Sequence, residues 1–191
     1  MPNDFTQGKN AGNKSMSLNL DALGEAANQS VQGNSGETPV LNEEVEATVV
    51  NTDFRMMSDL HSNQNNPELK YYNTIFAVET DFEYKDANGE MVEATSRDNY
   101  GGIRVYPKIN EQGEVMNNAS GQPVIQRMWV GDNSAAGKLF ALVQKADKSV
   151  RSYTDFFNFF NKEGGVKVKI KSQQTSYNGQ TKNKLIIQSI L

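Results

Sequence analysis

Cysteine is absent from the chain, which excludes a disulfide framework, a thiolate zinc site and a cysteine nucleophile. There is a single histidine, His61, so a multi-histidine metal centre is excluded as well. Apolar residues are scarce at 37%, and the mean hydropathy is -0.64, so part of the 191-residue chain is expected not to pack. No run approaches the roughly 18–20 apolar residues of a membrane span. Met1–Asn10 is polar and lacks the apolar core of a signal peptide. These absences together lead us to expect a soluble, cytoplasmic protein with no membrane partner, no metal and no cofactor.

Charge is unevenly spread. Residues 1–38 carry a net -2. Residues 39–126 hold 6 basic and 15 acidic side chains, whereas residues 127–191 hold 11 basic and 4 acidic. A basic final third on an acidic protein has two readings: a face for a polyanion, or two halves that neutralise each other within one fold.

Residues 1–38 are rich in Asn, Gly, Ser, Gln and Ala and contain one aromatic, Phe5. Such a stretch buries too little apolar area to offset its ordering entropy, and it is expected to be a flexible tail with room for a short helix over Leu18–Ala27. The folded domain is expected over 39–191. Val45–Met57 reads as a strand and His61–Pro67 as a loop. In Tyr71–Tyr84, the residues Tyr72, Thr74, Phe76, Val78, Thr80, Phe82 and Tyr84 alternate onto one face. Asp86-Ala87-Asn88-Gly89 reads as a turn, and Met91–Arg97 as the returning strand. Gly101-Gly102 then interrupts it and Ile103–Ile109 continues as strand, since glycines there suit a bulge or the sharp bend of a barrel corner. Loops at Asn110–Gly113 and Asn117–Pro123 lead into the strand Val124–Val130. Asp132 or Asn133 is placed to cap a helix with the apolar stripe Ala136, Leu139, Phe140 and Val143. Ser152 is placed to cap a second, carrying Tyr153, Phe156, Phe157 and Phe160, which Gly164-Gly165 should stop.

From Tyr71 onwards the order is strand, strand, strand, helical segment, strand, strand. That is the element order of the oligonucleotide-binding (OB) fold, a mainly-β, five-stranded, partly open barrel, here with its helical segment between strands 3 and 4. The aromatic helix would plug one end, and Val45–Met57 would be an edge strand or lead-in. The last 26 residues, VKVKIKSQQTSYNGQTKNKLIIQSIL, carry an Asn-Gly turn between two β-rich arms. Val166, Val168 and Ile170 point one way; Lys167, Lys169 and Lys171 point the other. This ending resembles the terminal hairpin of phage-type single-stranded DNA-binding proteins and related phage replication proteins. The resemblance implies a viral OB-fold protein of DNA replication or recombination that binds single-stranded DNA without catalysis, with replication or recombination proteins as partners. Unlike the bacterial type, the chain closes on an apolar strand, Leu185–Leu191, rather than an acidic tail.

Single strands are bound by a cationic groove with aromatic platforms, and both ingredients are interleaved here. Arg104, Tyr106 and Lys108 share one strand face, and Arg127 and Trp129 share another. Lys167, Lys169 and Lys171 would extend the groove, with Tyr177, Lys182 and Lys184 beside it. Each has a plainer reading. Trp129 is either core or stacking platform, Tyr106 likewise, and the lysine ladder is also what protects an edge strand from mispairing. Lys182 and Lys184 on the returning arm favour an anion-binding surface over that protection alone.

Other motifs fail. Gly131–Lys138 resembles a phosphate loop but has one residue too many between its glycines, and Leu139 stands where a Ser or Thr would hold magnesium. Asp86, Asn88 and Glu90 lack the ligand ladder of a calcium loop. His61 has no triad partner. No carboxylate set is matched with a base, so an enzyme is not expected. The alternative to DNA binding is a virion structural or accessory protein with a β-rich domain and a flexible arm.

Overall fold

The computed structural model describes residues 38–177 and 179–191. Its elements run β1 (Val45–Ser62), β2 (Lys70–Lys85), β3 (Met91–Pro107), β4 (Ile125–Val130), α1 (Ala135–Ala146), α2 (Tyr153–Phe159), β5 (Val166–Tyr177) and β6 (Gln180–Ile190). The protein is mainly β, an antiparallel sheet in the order β4-β3-β2-β1-β5-β6 that is not closed. The sequence suggests five barrel strands with Val45–Met57 added to them, and the sheet has six strands. Val45–Met57, expected as an edge strand or a lead-in, belongs to an interior strand between β2 and β5. The strand does continue past Gly101-Gly102, as expected: β3 is unbroken from Met91 to Pro107, and Gly102 at φ +100 takes the chain through without ending it. The expected tail over 1–38 lies, apart from Thr38, outside the described residues.

Sharp reversals share one chemistry. Asp86, Asn110 and Asn118 each open a loop in which the side-chain Oδ1 accepts the N–H groups two and four residues on, at 2.8–3.0 Å. The glycine at the fourth position then donates to the backbone carbonyl of the first, at 3.0 Å in each loop. Those glycines, Gly89, Gly113 and Gly121, have φ near +80, the region that costs glycine nothing. The pattern [Asp/Asn]-x-x-Gly is therefore a turn with a mechanism.

The described residues form two compact units. The first comprises Asp53–Phe76 and Tyr100–Lys138. Alternation sends Ile103 and Val105 inward, both fully buried, and leaves Arg104 on the opposite face of β3. β3 pairs with β4 through Arg104↔Trp129 and Tyr106↔Arg127, and the register slips at Pro107, which has no N–H to give. β4 leads into α1 through a tight corner. Its cap is Ser134 and not Asp132 or Asn133: Ser134 Oγ accepts the Gly137 N–H at 3.0 Å and donates to Gly131 O at 2.6 Å. A Cβ on Gly137 would lie 2.1 Å from Gly131 O and 2.8 Å from Asp132 O. Alanine normally stabilises a helix over glycine by about 1 kcal/mol. Here Gly137→Ala is expected to destabilise instead, by about 1–3 kcal/mol, because fixed backbone oxygens occupy the space. Urea unfolding of the variant checks the sign.

The second unit comprises Ala77–Asn99, Leu139–Leu191 and the described residues up to Thr52. β5 and β6 pair from Val168↔Ile190 to Tyr177↔Gln180, as the Asn-Gly signal predicts, and Val166, Val168 and Ile170 are buried with Leu185 and Ile187. β1 pairs on the other side of β5. Ser152 caps α2 as predicted, in a capping box completed by Asp155. The helix ends at Phe160, not at Gly164-Gly165. Those glycines make the turn into β5, where a Cβ on Gly165 would stand 2.5 Å from Val49 O.

β3 and β6 of this unit are joined by side chains. Asp98 Oδ1 accepts the Leu185 N–H at 3.2 Å, Ser96 donates to Asp98 Oδ2 at 2.7 Å, and the Lys184 ammonium donates to Asn99 O. Burial pushes the Asp98 carboxyl up and the Lys184 ammonium down from their ordinary values, in both cases against their mutual attraction. Asp98→Ala, which leaves the Leu185 N–H without its acceptor, is expected to cost about 1–3 kcal/mol. Asp98→Asn keeps an oxygen acceptor and removes a disfavoured charge, so it should cost clearly less. Parallel denaturation curves separate the two.

Candidate nucleic-acid interface

The first unit gathers cations and rings on the face of its strands opposite Ile103 and Val105. Arg104 of β3 sits between two aromatics: its Cζ lies 4.5 Å from the Tyr71 ring centroid and 5.3 Å from that of Trp129. The Arg127 Cζ lies 4.3 Å over the Tyr106 ring, and the Tyr71 and Tyr106 rings are 5.8 Å apart. Beyond Tyr71, the ring of His61 stacks at 5.6 Å with an interplanar angle of 28°. The row thus crosses β1, β2, β3 and β4 and alternates charge with π surface. Strand pairing accounts for the placement. Arg104 faces Trp129 directly across the ladder, and Tyr106 faces Arg127.

Two features set this cluster apart from an ordinary solvated face. Among the described residues, neither Arg104 nor Arg127 has a carboxylate partner or a side-chain hydrogen bond, whereas Arg55 pairs with Asp53 and Arg97 with Glu79. A guanidinium held against π faces keeps its in-plane N–H donors, the groups that engage phosphate. The second feature is exposure. Trp129 is 45% exposed, although tryptophan is usually well buried. Its outer ring edge rests on the corner glycine: a Cβ on Gly131 would come within 3.0 Å of Trp129 Cη2.

The candidates expected from sequence divide accordingly. Arg104, Arg127 and Trp129 converge, and of the two readings of Trp129 the core one is overturned. Tyr106 is also in the cluster but buried at 5%, covered by Arg127, so it supports a cation rather than offering an open platform. Lys108 is exposed at the foot of the arm spanning 108–124, where its backbone bonds Val124 and Met116. Lys70 Nζ ties that arm down through Gly113 O at 2.6 Å.

Lys167, Lys169, Lys171, Lys182 and Lys184 belong to the second unit. Lys167 and Lys171 are exposed on the outer side of β5, and Lys182 is exposed on β6. Glu46 is the direct cross-strand neighbour of Lys169. Lys167 lines a cavity of about 770 Å3 with Glu46, Asp81, Glu83 and Glu93. Lys167 and Lys169 therefore stand in an acidic setting that the linear charge count conceals. Lys184 is engaged at the β3–β6 seam. The side chain of Tyr177, and Asn178 with it, lies outside the described residues.

Sequence reasoning missed His61 and Tyr71. It took His61 for a loop residue, whereas β1 continues to Ser62 and the loop closes only with Asn63 N–H to Leu69 O at 2.9 Å. The pattern did carry a signal for Tyr71, since it falls on the face opposite Thr74 and Phe76 in a strand whose other face is core. Comparison of the chain with protein-family models, with curated proteins and with solved structures returned no match.

Proposed function

We propose that the protein binds single-stranded DNA, without catalysis, through the Arg104–Trp129 face of its first unit. The observation that carries this reading is Arg104, a cation without a carboxylate partner among the described residues, seated between Tyr71 and the exposed Trp129. Arg104 and Arg127 take phosphates, and Trp129 stacks a base; stacking needs no particular sequence and contributes roughly 1–3 kcal/mol per base. A duplex keeps its bases stacked on each other and offers the indole nothing, so the site selects unpaired strands. We read β1, β2, β3, β5 and β6 as an OB-type barrel with α1 and α2 between its third and fourth strands, and β4 as an added strand that brings Arg127 and Trp129 to the face. The seam of Asp98 with Leu185 and of Lys184 with Asn99 supports that reading, because it joins the two strands that such a barrel must bring together. With the C-terminal hairpin resembling phage proteins, a role in viral DNA replication or recombination in the host cytoplasm follows, alongside the other proteins of that machinery.

The test is titration of labelled oligo-dT across a salt series, followed by Trp129 emission. Saturable binding that weakens linearly in log salt, with quenching of the sole tryptophan, is expected. No measurable affinity near 50 mM salt would falsify the proposal.

A further inference from the structure

We infer that His61 is a second base-stacking position, at the opposite end of the row from Trp129. The inference rests on the DNA-binding reading and adds a subsite to it. His61, Tyr71, Arg104 and Trp129 form a column in which each member contacts the next, at 5.6, 4.5 and 5.3 Å. The two inner members, Tyr71 and Arg104, are half-buried and have a neighbour on either hand. The two ends, His61 and Trp129, are exposed. A column of flat groups grows at its ends. A base that adds to Trp129 leaves the His61 end open, and a longer strand reaches both.

His61 is suited to a ring contact rather than a phosphate contact. Asp59 lies two residues away on β1 and so shares its strand face, where its carboxylate repels a phosphate. The near-parallel Tyr71 ring holds the imidazole flat. The column is therefore a bipolar site: bases stack at both ends, and the cations Arg104 and Arg127 hold the backbone that runs between.

The experiment compares the full chain with His61→Ala, His61→Phe and Trp129→Ala, against oligo-dT from two to about twelve nucleotides. The His61 side chain is exposed, and a thermal melt verifies that each variant is folded. Trp129→Ala should weaken every length. His61→Ala should leave the shortest oligomers unchanged and weaken the longer ones by roughly fivefold or more, at the lower end of what a stacked base contributes. His61→Phe should restore the loss, since it keeps a ring and removes any charge. Equal affinity of His61→Ala and the unaltered chain at every length, with Trp129 still quenched, overturns the His61 subsite and leaves the DNA-binding reading standing. No restoration by phenylalanine overturns stacking as its role. No binding by the unaltered chain overturns both.

Discussion

Arg104→Ala is expected to weaken oligo-dT binding by at least tenfold and to lower the slope of log affinity against log salt by about 0.7, the share of one phosphate on a single strand. Two losses combine. A charge-assisted hydrogen bond contributes about 1.5–3 kcal/mol, which by itself corresponds to a factor of ten or more. The guanidinium is also the spacer between Tyr71 and Trp129, so its removal leaves the indole without the group it packs on. Arg104→Lys separates the two losses. It keeps a positive charge and hence the salt slope, but a compact ammonium does not replace a flat group between two rings, and affinity should recover only in part. Fluorescence titration at three or more salt concentrations measures both quantities. An Arg104→Ala protein with unchanged affinity and slope would remove the column from the DNA site.

The largest expected effect on stability lies in the second unit. Phe156→Ala should destabilise the protein by about 3–5 kcal/mol, the usual range for deleting a buried phenylalanine. Phe156 is 2% exposed and its ring meets Phe140 at 5.2 Å, Phe157 at 5.3 Å and Phe160 at 5.7 Å, each in a steep or edge-on arrangement. Each such pair adds about 0.5–1.5 kcal/mol beyond area burial, and one substitution removes three of them. The cavity left behind is lined by rings too rigid to close it. Urea denaturation should show a lower midpoint with an unchanged slope. A loss under 1 kcal/mol would mean that the cluster repacks, contrary to this account.

What was legible beforehand follows from the range of the forces involved. Period-two alternation placed β2 and its inward Thr74, Phe76, Val78, Thr80 and Phe82, all of them buried. Asn-Gly placed the last hairpin, and the i, i+3, i+4 spacing placed the aromatic face of α2. These depend on neighbours within a few residues. The position of Val45–Met57 in the sheet was not legible in the same way. An interior strand and an edge strand alternate alike, and only the pairing of β1 with β5 on one side and its neighbour β2 on the other tells them apart.

The candidate site divides along the same line. The sequence alone established that Arg104, Arg127 and Trp129 lie at alternating positions in β-rich segments, so that each shares a strand face with a cation or a ring. Their mutual contact depended on the register between β3 and β4, which sets Arg104 opposite Trp129. Tertiary structure also decided that Trp129 stays open while Tyr106 is covered, that His61 and Tyr71 join the row, and that Lys169 has Glu46 as its direct cross-strand neighbour. Alternation is a property of one strand and is written in consecutive residues. Register, burial and charge pairing are set between segments far apart in the chain, by contacts that no local pattern records.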